Sequence, residues 1–125
     1  MKTKILNILS ILLGLMLVNG GLDKFLHYMP MPENLPDELI KDMVALAEIT
    51  WLMPLIGFAE IIGGLFIIIK KTRVLGILVV FPVMVGALLT HIFVAPSGLP
   101  ILLIIWAILV WNIIEYKTTY LSLLK

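Results

Sequence analysis

Cysteine is missing from the 125-residue chain. Its absence excludes structural disulfides, thiol–disulfide exchange, cysteine-ligated iron–sulfur clusters and cysteine-based zinc sites within this chain. Charge is scarce as well. Asp, Glu, Lys and Arg make up 14% of the residues and hydrophobic residues 62%, against about 25% and about 45–50% in ordinary soluble domains. No basic patch is interleaved with aromatics, so nucleic-acid binding has no support. The net charge of +1 says nothing as a total; its distribution does. What the chain has in place of charge is long apolar runs, and these identify an integral membrane protein of a single domain, residues 1–125.

Four such runs can be placed. A first transmembrane helix is expected at 5–22, after the basic start Met1-Lys2-Thr3-Lys4. A basic start and an apolar run also fit a secretory signal peptide, but Val18-Asn19-Gly20 is a poor small-x-small cleavage site. A loop with an amphipathic helix is expected over 23–50. His27-Tyr28-Met29-Pro30-Met31-Pro32 breaks any helix with two prolines, and Asn34 can cap the next one, with Pro36 in its first turn. Leu39, Ile40, Met43, Leu46, Ala47 and Ile49 fall mostly on one side of that helix, and Glu38, Lys41, Asp42, Ala45 and Glu48 on the other. This pattern suits a helix lying in the membrane interface or capping the bundle. The second span is expected at 51–69, with Trp51 in the interface and Pro54 in its first turn. The third is expected at 74–94 with a kink at Pro82, and the fourth at 99–116, after which the tail returns to water. The expected fold is therefore an all-α integral membrane protein, a four-transmembrane-helix bundle with an amphipathic interfacial helix in its first outer loop.

Charge distribution orients the bundle. Lys2, Lys4, Lys70, Lys71, Arg73, Lys117 and Lys125 fall on one side, and Lys24 and Lys41 on the other. The positive-inside rule then places both termini and the middle turn in the cytoplasm. The first loop, rich in acids, faces outward.

Glu60 stands alone as a formal charge in the run from Trp51 to Ile69. A carboxylate at mid-bilayer costs about 2.5–3.5 kcal/mol on insertion scales, so the fold must offer it a protein or watery surrounding. Gly57, Gly63 and Gly64 share its face at helical spacing and allow close helix approach. Ser10, Gly14 and Gly21 form a similar packing face on the first span. The topology also puts Asn19, Lys24 and His91 towards the outer half. With Glu60 as floor, these four are the candidate ligand-binding residues of an outward-facing polar pocket. Each also has a plainer reading. Glu60 can be a protonated packing device, Lys24 can snorkel, and His91 can be merely solvated. Asn112 and Glu115 share a face at the inner end and are expected to meet Arg73 or headgroups. No metal is assigned; His27, Met29 and Met31 are weak candidates as soft Cu(I) ligands, the plainer reading being a turn that dips Met into lipid. Nothing but their shared side supports a haem between His27 and His91. Gly63-Gly64 lacks the Lys and Ser/Thr of a phosphate loop.

Asn19-Gly20-Gly21-Leu22-Asp23-Lys24-Phe25 resembles the G-x-x-K-F start of the DoxX family. Gly57-Phe58-Ala59-Glu60-Ile61-Ile62-Gly63-Gly64, followed by a basic turn, resembles its second-helix G-x-x-E-x-x-G-G signature, and a His before a Pro-Ser-Gly turn is also similar. The likeness covers nearly the whole chain. It implies a four-helix bundle in the bacterial cytoplasmic (inner) membrane, with polar residues kept at the positions of Lys24, Glu60 and His91. Some DoxX-like proteins are quinone-linked subunits that oxidise thiosulfate, some are grouped with redox-stress complexes, and an animal relative is a chaperone for receptor assembly. Lack of cysteine argues against a direct sulfur relay here.

Two functions follow as expectations. One is a quinone- or small-ligand-binding subunit of a redox-linked membrane complex, with Lys24 on an anion or carbonyl and Glu60 or His91 relaying protons. The other is a non-enzymatic scaffold or assembly factor that binds a partner protein through the acidic outer loop and its interfacial helix. Besides the lipid bilayer, the expected partners are a membrane protein or, in a homo-oligomer, further copies of the chain. Small-solute transport would need an oligomer, since four short helices leave little room for a pathway.

Overall fold

The computed structural model describes residues 2–28, 35–94 and 96–124. Among them every regular element is helical. The order is α1 (Lys2–Leu26), α2 (Asp37–Glu48), α3 (Leu52–Ile68), α4 (Arg73–Phe93), α5 (Leu99–Glu115) and α6 (Lys117–Ser122), with 3-10 turns at Lys70–Thr72 and Pro96–Gly98. The stretches Lys2–Leu26, Lys70–Phe93 and Pro96–Glu115 are each long and apolar enough to cross a membrane. Helix α3 passes the same test only together with α2, as a pair bent by 94°, so the spans number three or up to four. At 17 residues α3 is about the shortest helix that reaches across a hydrocarbon core.

Helix α1 runs four residues past the expected end of its span. Gly20 and Gly21 do not stop it, because α3 packs against this part of it. It closes at His27, whose φ of 52° is the left-handed conformation of a helix C-cap and whose N–H donates to Asp23 O at 2.7 Å. Lys24 therefore lies inside the helix rather than beyond it. A side chain there leans back towards the helix N-terminus, into the bundle.

The α1–α3 contact is antiparallel and set by glycines. A Cβ on Gly14 would stand 2.6 Å from Gly64 O, and one on Gly21 would stand 2.6 Å from Gly57 O. Each helix repeats its glycine after seven residues, so two complete turns meet backbone to backbone. Gly63 and Gly76 make the same kind of approach between α3 and α4, where a Cβ on Gly76 would lie 2.6 Å from Gly63 O. The core that fills the remaining space comprises Leu13, Leu17, Ile67, Ile77, Val80, Met84 and Leu109. Helix α5 closes the bundle through an edge-to-face contact between Phe81 and Trp106, centroids 5.5 Å apart. Trp106 Nε1 donates to Met84 O at 3.3 Å.

Helix α2 has no buried residue and begins after Pro36, which stands just before the helix rather than in its first turn. Its expected cap, Asn34, lies outside the described residues. Asp37 and Glu38 occupy the first turn, where the helix dipole favours negative charge. The tail does not simply return to water. It forms α6, and Tyr120 Oη donates to Val74 O at 3.1 Å, pinning this helix to the start of α4.

The opposite end of the bundle from α2 carries Lys2, Lys4, Lys70, Lys71 and Lys117, and is called the basic end below. Two polar contacts there correct the sequence expectation. Asn112 does not meet Arg73: its Nδ2 donates to Ser10 Oγ and to Ile108 O, both at 3.0 Å. Arg73 is 1% exposed. It donates through Nε to Ile67 O at 2.7 Å and through Nη2 to Ile68 O at 3.3 Å and Asn7 Oδ1 at 2.9 Å. Its cation thus sits on the carbonyl end of α3, the negative pole of that helix, which explains how a guanidinium is buried without a carboxylate beside it.

Candidate functional site

Glu60 is placed by two packing directions on α3. Gly57 and Gly64 press against α1, Gly63 presses against α4, and Glu60 lies between, facing the seam of all three helices. It is 7% exposed. Gly20 gives its carboxylate room, since a Cβ there would be 3.3 Å from Glu60 Oε2. Lys24, one turn further along α1, reaches back over that gap. Its Nζ donates to both carboxylate oxygens, Oε1 at 3.1 Å and Oε2 at 2.9 Å. The Glu60 side chain is 9% exposed and that of Lys24 24%. The pair is thus desolvated on one partner and open on the other.

Two cavities meet at Lys24. The larger, of about 550 Å³, is the more open to the surface of the two and is called the deep cavity below only because it reaches Glu60. It is bounded by Lys24 from α1, Met53, Ile56 and Glu60 from α3, a stripe of α4 from Pro82 to His91, and Leu46 of α2. The smaller, of about 390 Å³ and called the shallow cavity below for its place at the outer end, lies beneath α2 and includes Asp23, His27, Met43 and Thr50. Lys24, Leu46 and Met53 border both.

His91 lines the deep cavity. Its Nδ1 is 2.7 Å from Ala87 O, and since a carbonyl only accepts, Nδ1 carries the proton there and a neutral ring leaves Nε2 as an acceptor. Gly98 lets the ring lie against the following turn, because a Cβ at that position would fall 2.7 Å from Nε2. Asn19 does not reach the cavity. It is exposed, and its Oδ1 and main-chain O accept from Tyr28 Oη. Of the four expected pocket residues the structure therefore gathers Lys24, Glu60 and His91 on one cavity, with Asn19 elsewhere. Asn19 sits on the opposite side of α1 from Gly14 and Gly21, the face that α3 covers.

Of the soft-metal candidates only His27 is described; Met29 and Met31 lie outside the described residues. Among the described residues no three His, Asp or Glu side chains gather within reach of one metal ion. His27 and His91 border different cavities, which does not suit a haem held between them.

Sequence reasoning gave no place at the site to Gly20, Met53, Ile56, Gly86 and Thr90, and read Pro82 only as a kink. A signal existed for most of them. Met53 and Ile56 precede Glu60 by seven and four residues, hence on its face, and Pro82, Gly86 and Thr90 recur every four residues as the non-bulky stripe of α4.

A multi-helix membrane bundle that holds a side-chain ion pair inside it, beside a mostly apolar cavity, defines the class: an all-α integral membrane protein with a buried charged site. The chain belongs to the DoxX family, whose family model matches residues 5–96. The match takes in Lys24, Glu60 and His91 and ends as α5 is about to begin. No curated protein and no solved structure matches the chain.

Proposed function

We propose that the protein is a ligand-binding membrane subunit, in which the Lys24–Glu60 pair fixes the head of a small molecule inside the bundle, a quinone or a molecule of similar chemistry. The observation that carries this reading is the position of the pair. Ion pairs taken out of water are costly, and well-packed apolar side chains in their place are often equally or more stable. A pair kept for packing belongs in a filled core. This one borders about 550 Å³ of mostly apolar space, with His91 lining the same cavity from α4. The donor set suits a quinone ring: apolar walls for its faces and a lysine N–H for one carbonyl. His91 and Glu60 are the groups through which a proton could be exchanged with such a head, which is what membership of a redox-linked complex would require. Placement in a bacterial inner membrane with both termini cytoplasmic completes the reading, supported by the crowding of lysines at one end of the bundle.

The test is made on protein purified in mild detergent, beside Glu60→Gln. Small molecules extracted from it are identified by mass spectrometry and its visible spectrum is recorded. A near-stoichiometric molecule, lost or depleted in the variant, is the expected result. Protein carrying only bulk lipid, with an equally stable variant and a co-purifying protein, would instead favour a scaffold that binds its partner through α2.

A further inference from the structure

The deep cavity exists because α3 and α4 part company. Near the basic end they touch through glycine backbones, Gly63 against Gly76. Ten residues later on α4, a Cβ added to Gly86 would meet nothing within 4 Å, and Gly86 itself is exposed. Between them Pro82 interrupts the helix ladder and is also exposed. Ile56, half-buried on α3, faces this stretch across the gap. Pro82 and Gly86 both line the cavity and are both exposed, so the cavity is open where they stand, on a helix long and apolar enough to cross a membrane. The other way out runs past Leu46 and Met53 beneath α2, into the shallow cavity.

The charges restrict what can enter. Lys24 has three N–H donors, of which two are used on Glu60. Glu60 already neutralises the cation, and Asp23 borders the next cavity. An anion docking on Lys24 would lie beside a desolvated carboxylate, where repulsion is poorly screened. An uncharged acceptor meets the third N–H without that opposition. His91 donates its Nδ1–H to Ala87 O and offers no second donor while neutral.

We propose that the deep cavity takes its ligand sideways from the bilayer over Gly86, and that this ligand is an uncharged amphiphile, with a carbonyl-type head on Lys24 and an apolar tail leaving between α3 and α4. The proposal rests on the ligand-binding reading above and adds the route and the charge class.

An alkyl benzophenone tests it, because its uncharged carbonyl is also the photoreactive group. The probe is dissolved in phosphatidylcholine vesicles holding the full chain, irradiated, and the labelled residues are mapped by mass spectrometry. Labelling is expected at Met53, Ile56 or Val83, suppressed by excess decyl-benzoquinone and unaffected by decanoate. Gly86→Leu, which places bulk in open space, should cut labelling about tenfold, the effect of roughly 1.4 kcal/mol, with Gly86→Ala intermediate. Ala47→Leu, which fills the shallow cavity, should leave it unchanged. Competition by decanoate as strong as by the quinone overturns the charge class. Loss of labelling in Ala47→Leu with none in Gly86→Leu overturns the lateral route. If Lys24→Met abolishes labelling while Gly86→Leu does not, the site stands and the route falls. If neither variant lowers labelling, both readings fall. The graded Gly86→Ala variant keeps the test valid should the leucine disturb folding, since a Cβ there touches no neighbour.

Discussion

Gly20 lies directly beneath the carboxylate of Glu60: a Cβ at position 20 would stand 3.3 Å from Oε2. The distance is tight but the neighbour is the far end of a flexible side chain. Gly20→Ala should therefore be tolerated, whereas the branched side chain of Gly20→Val should push the carboxylate off Lys24. Reaction of Lys24 with an amine-specific acylating reagent, read by mass spectrometry, should rise in Gly20→Val and stay near wild type in Gly20→Ala. Equal protection in both variants would show that Gly20 does not set the ion-pair geometry.

Removing one partner of the pair should cost more than removing both. Lys24→Met leaves a carboxylate in a nearly dry seam, and the loss should approach, without reaching, the ~3–5 kcal/mol typical of a fully buried pair, because Lys24 is partly open. The double variant Lys24→Met/Glu60→Met removes both charges and should recover much of the loss. Thermal unfolding of the three proteins in one detergent measures the coupling; simple additivity would sink the claim that the two groups act as a pair.

Glycines at the helix contacts and the glycine at the cavity rim should respond in opposite ways. Gly14→Ala and Gly64→Ala each drive a methyl against a carbonyl, at 2.6 Å and 2.7 Å, and backbone cannot swing aside. A loss of about 1–3 kcal/mol is expected for each. Gly86→Ala meets open space and gains helix propensity, so its midpoint should hold or rise. A common response from all three positions would argue against glycine-set packing of α1 on α3.

Arg73 should resist replacement by lysine. Its fork reaches two carbonyls of the α3 end and Asn7 together, a geometry a single ammonium cannot reproduce. Arg73→Lys is expected to lower the unfolding midpoint clearly. Asn7→Ala should cost about 1.5–3 kcal/mol, the range for a hydrogen bond to a charged group. An Arg73→Lys protein as stable as wild type would mean that charge alone suffices at this helix end.

Tyr120 supplies a pH dependence at the alkaline end. Burial first, and the neighbouring Tyr116 second, push its phenol up to about 12, above the usual value near 10. The unfolded chain therefore loses this proton before the folded one does. The contribution of the neutral phenol is complete below pH ~10 and fades as pH rises through about 12. Tyr120→Phe should be less stable than wild type at neutral pH, through the lost bond to Val74 O, with the difference narrowing over that window. A difference that stayed constant with pH would exclude the linkage.

The sequence by itself determined the material of this protein. Its apolar runs could form only helices in a membrane, since lipid satisfies no backbone group. The same runs showed that Glu60 had to be sheltered, and the glycines at its spacing marked the sheltering face. Sequence reading offers Lys24 and His91 as partners for Glu60, and tertiary structure decided that Lys24 is the one that meets it. Nothing in the order of residues says that Lys24 continues α1 instead of following it, because Gly20 and Gly21 weaken a helix in isolation and continue one only when α3 lies against them. Nor does sequence pair Ser10 with Asn112 or seat Arg73 on the end of α3, since those partners are far apart in the chain or lie on a neighbour's backbone. The cavity is likewise tertiary. It arises where two helices held together by glycines at one end diverge past Pro82 at the other, and empty space between helices leaves no residue of its own to read.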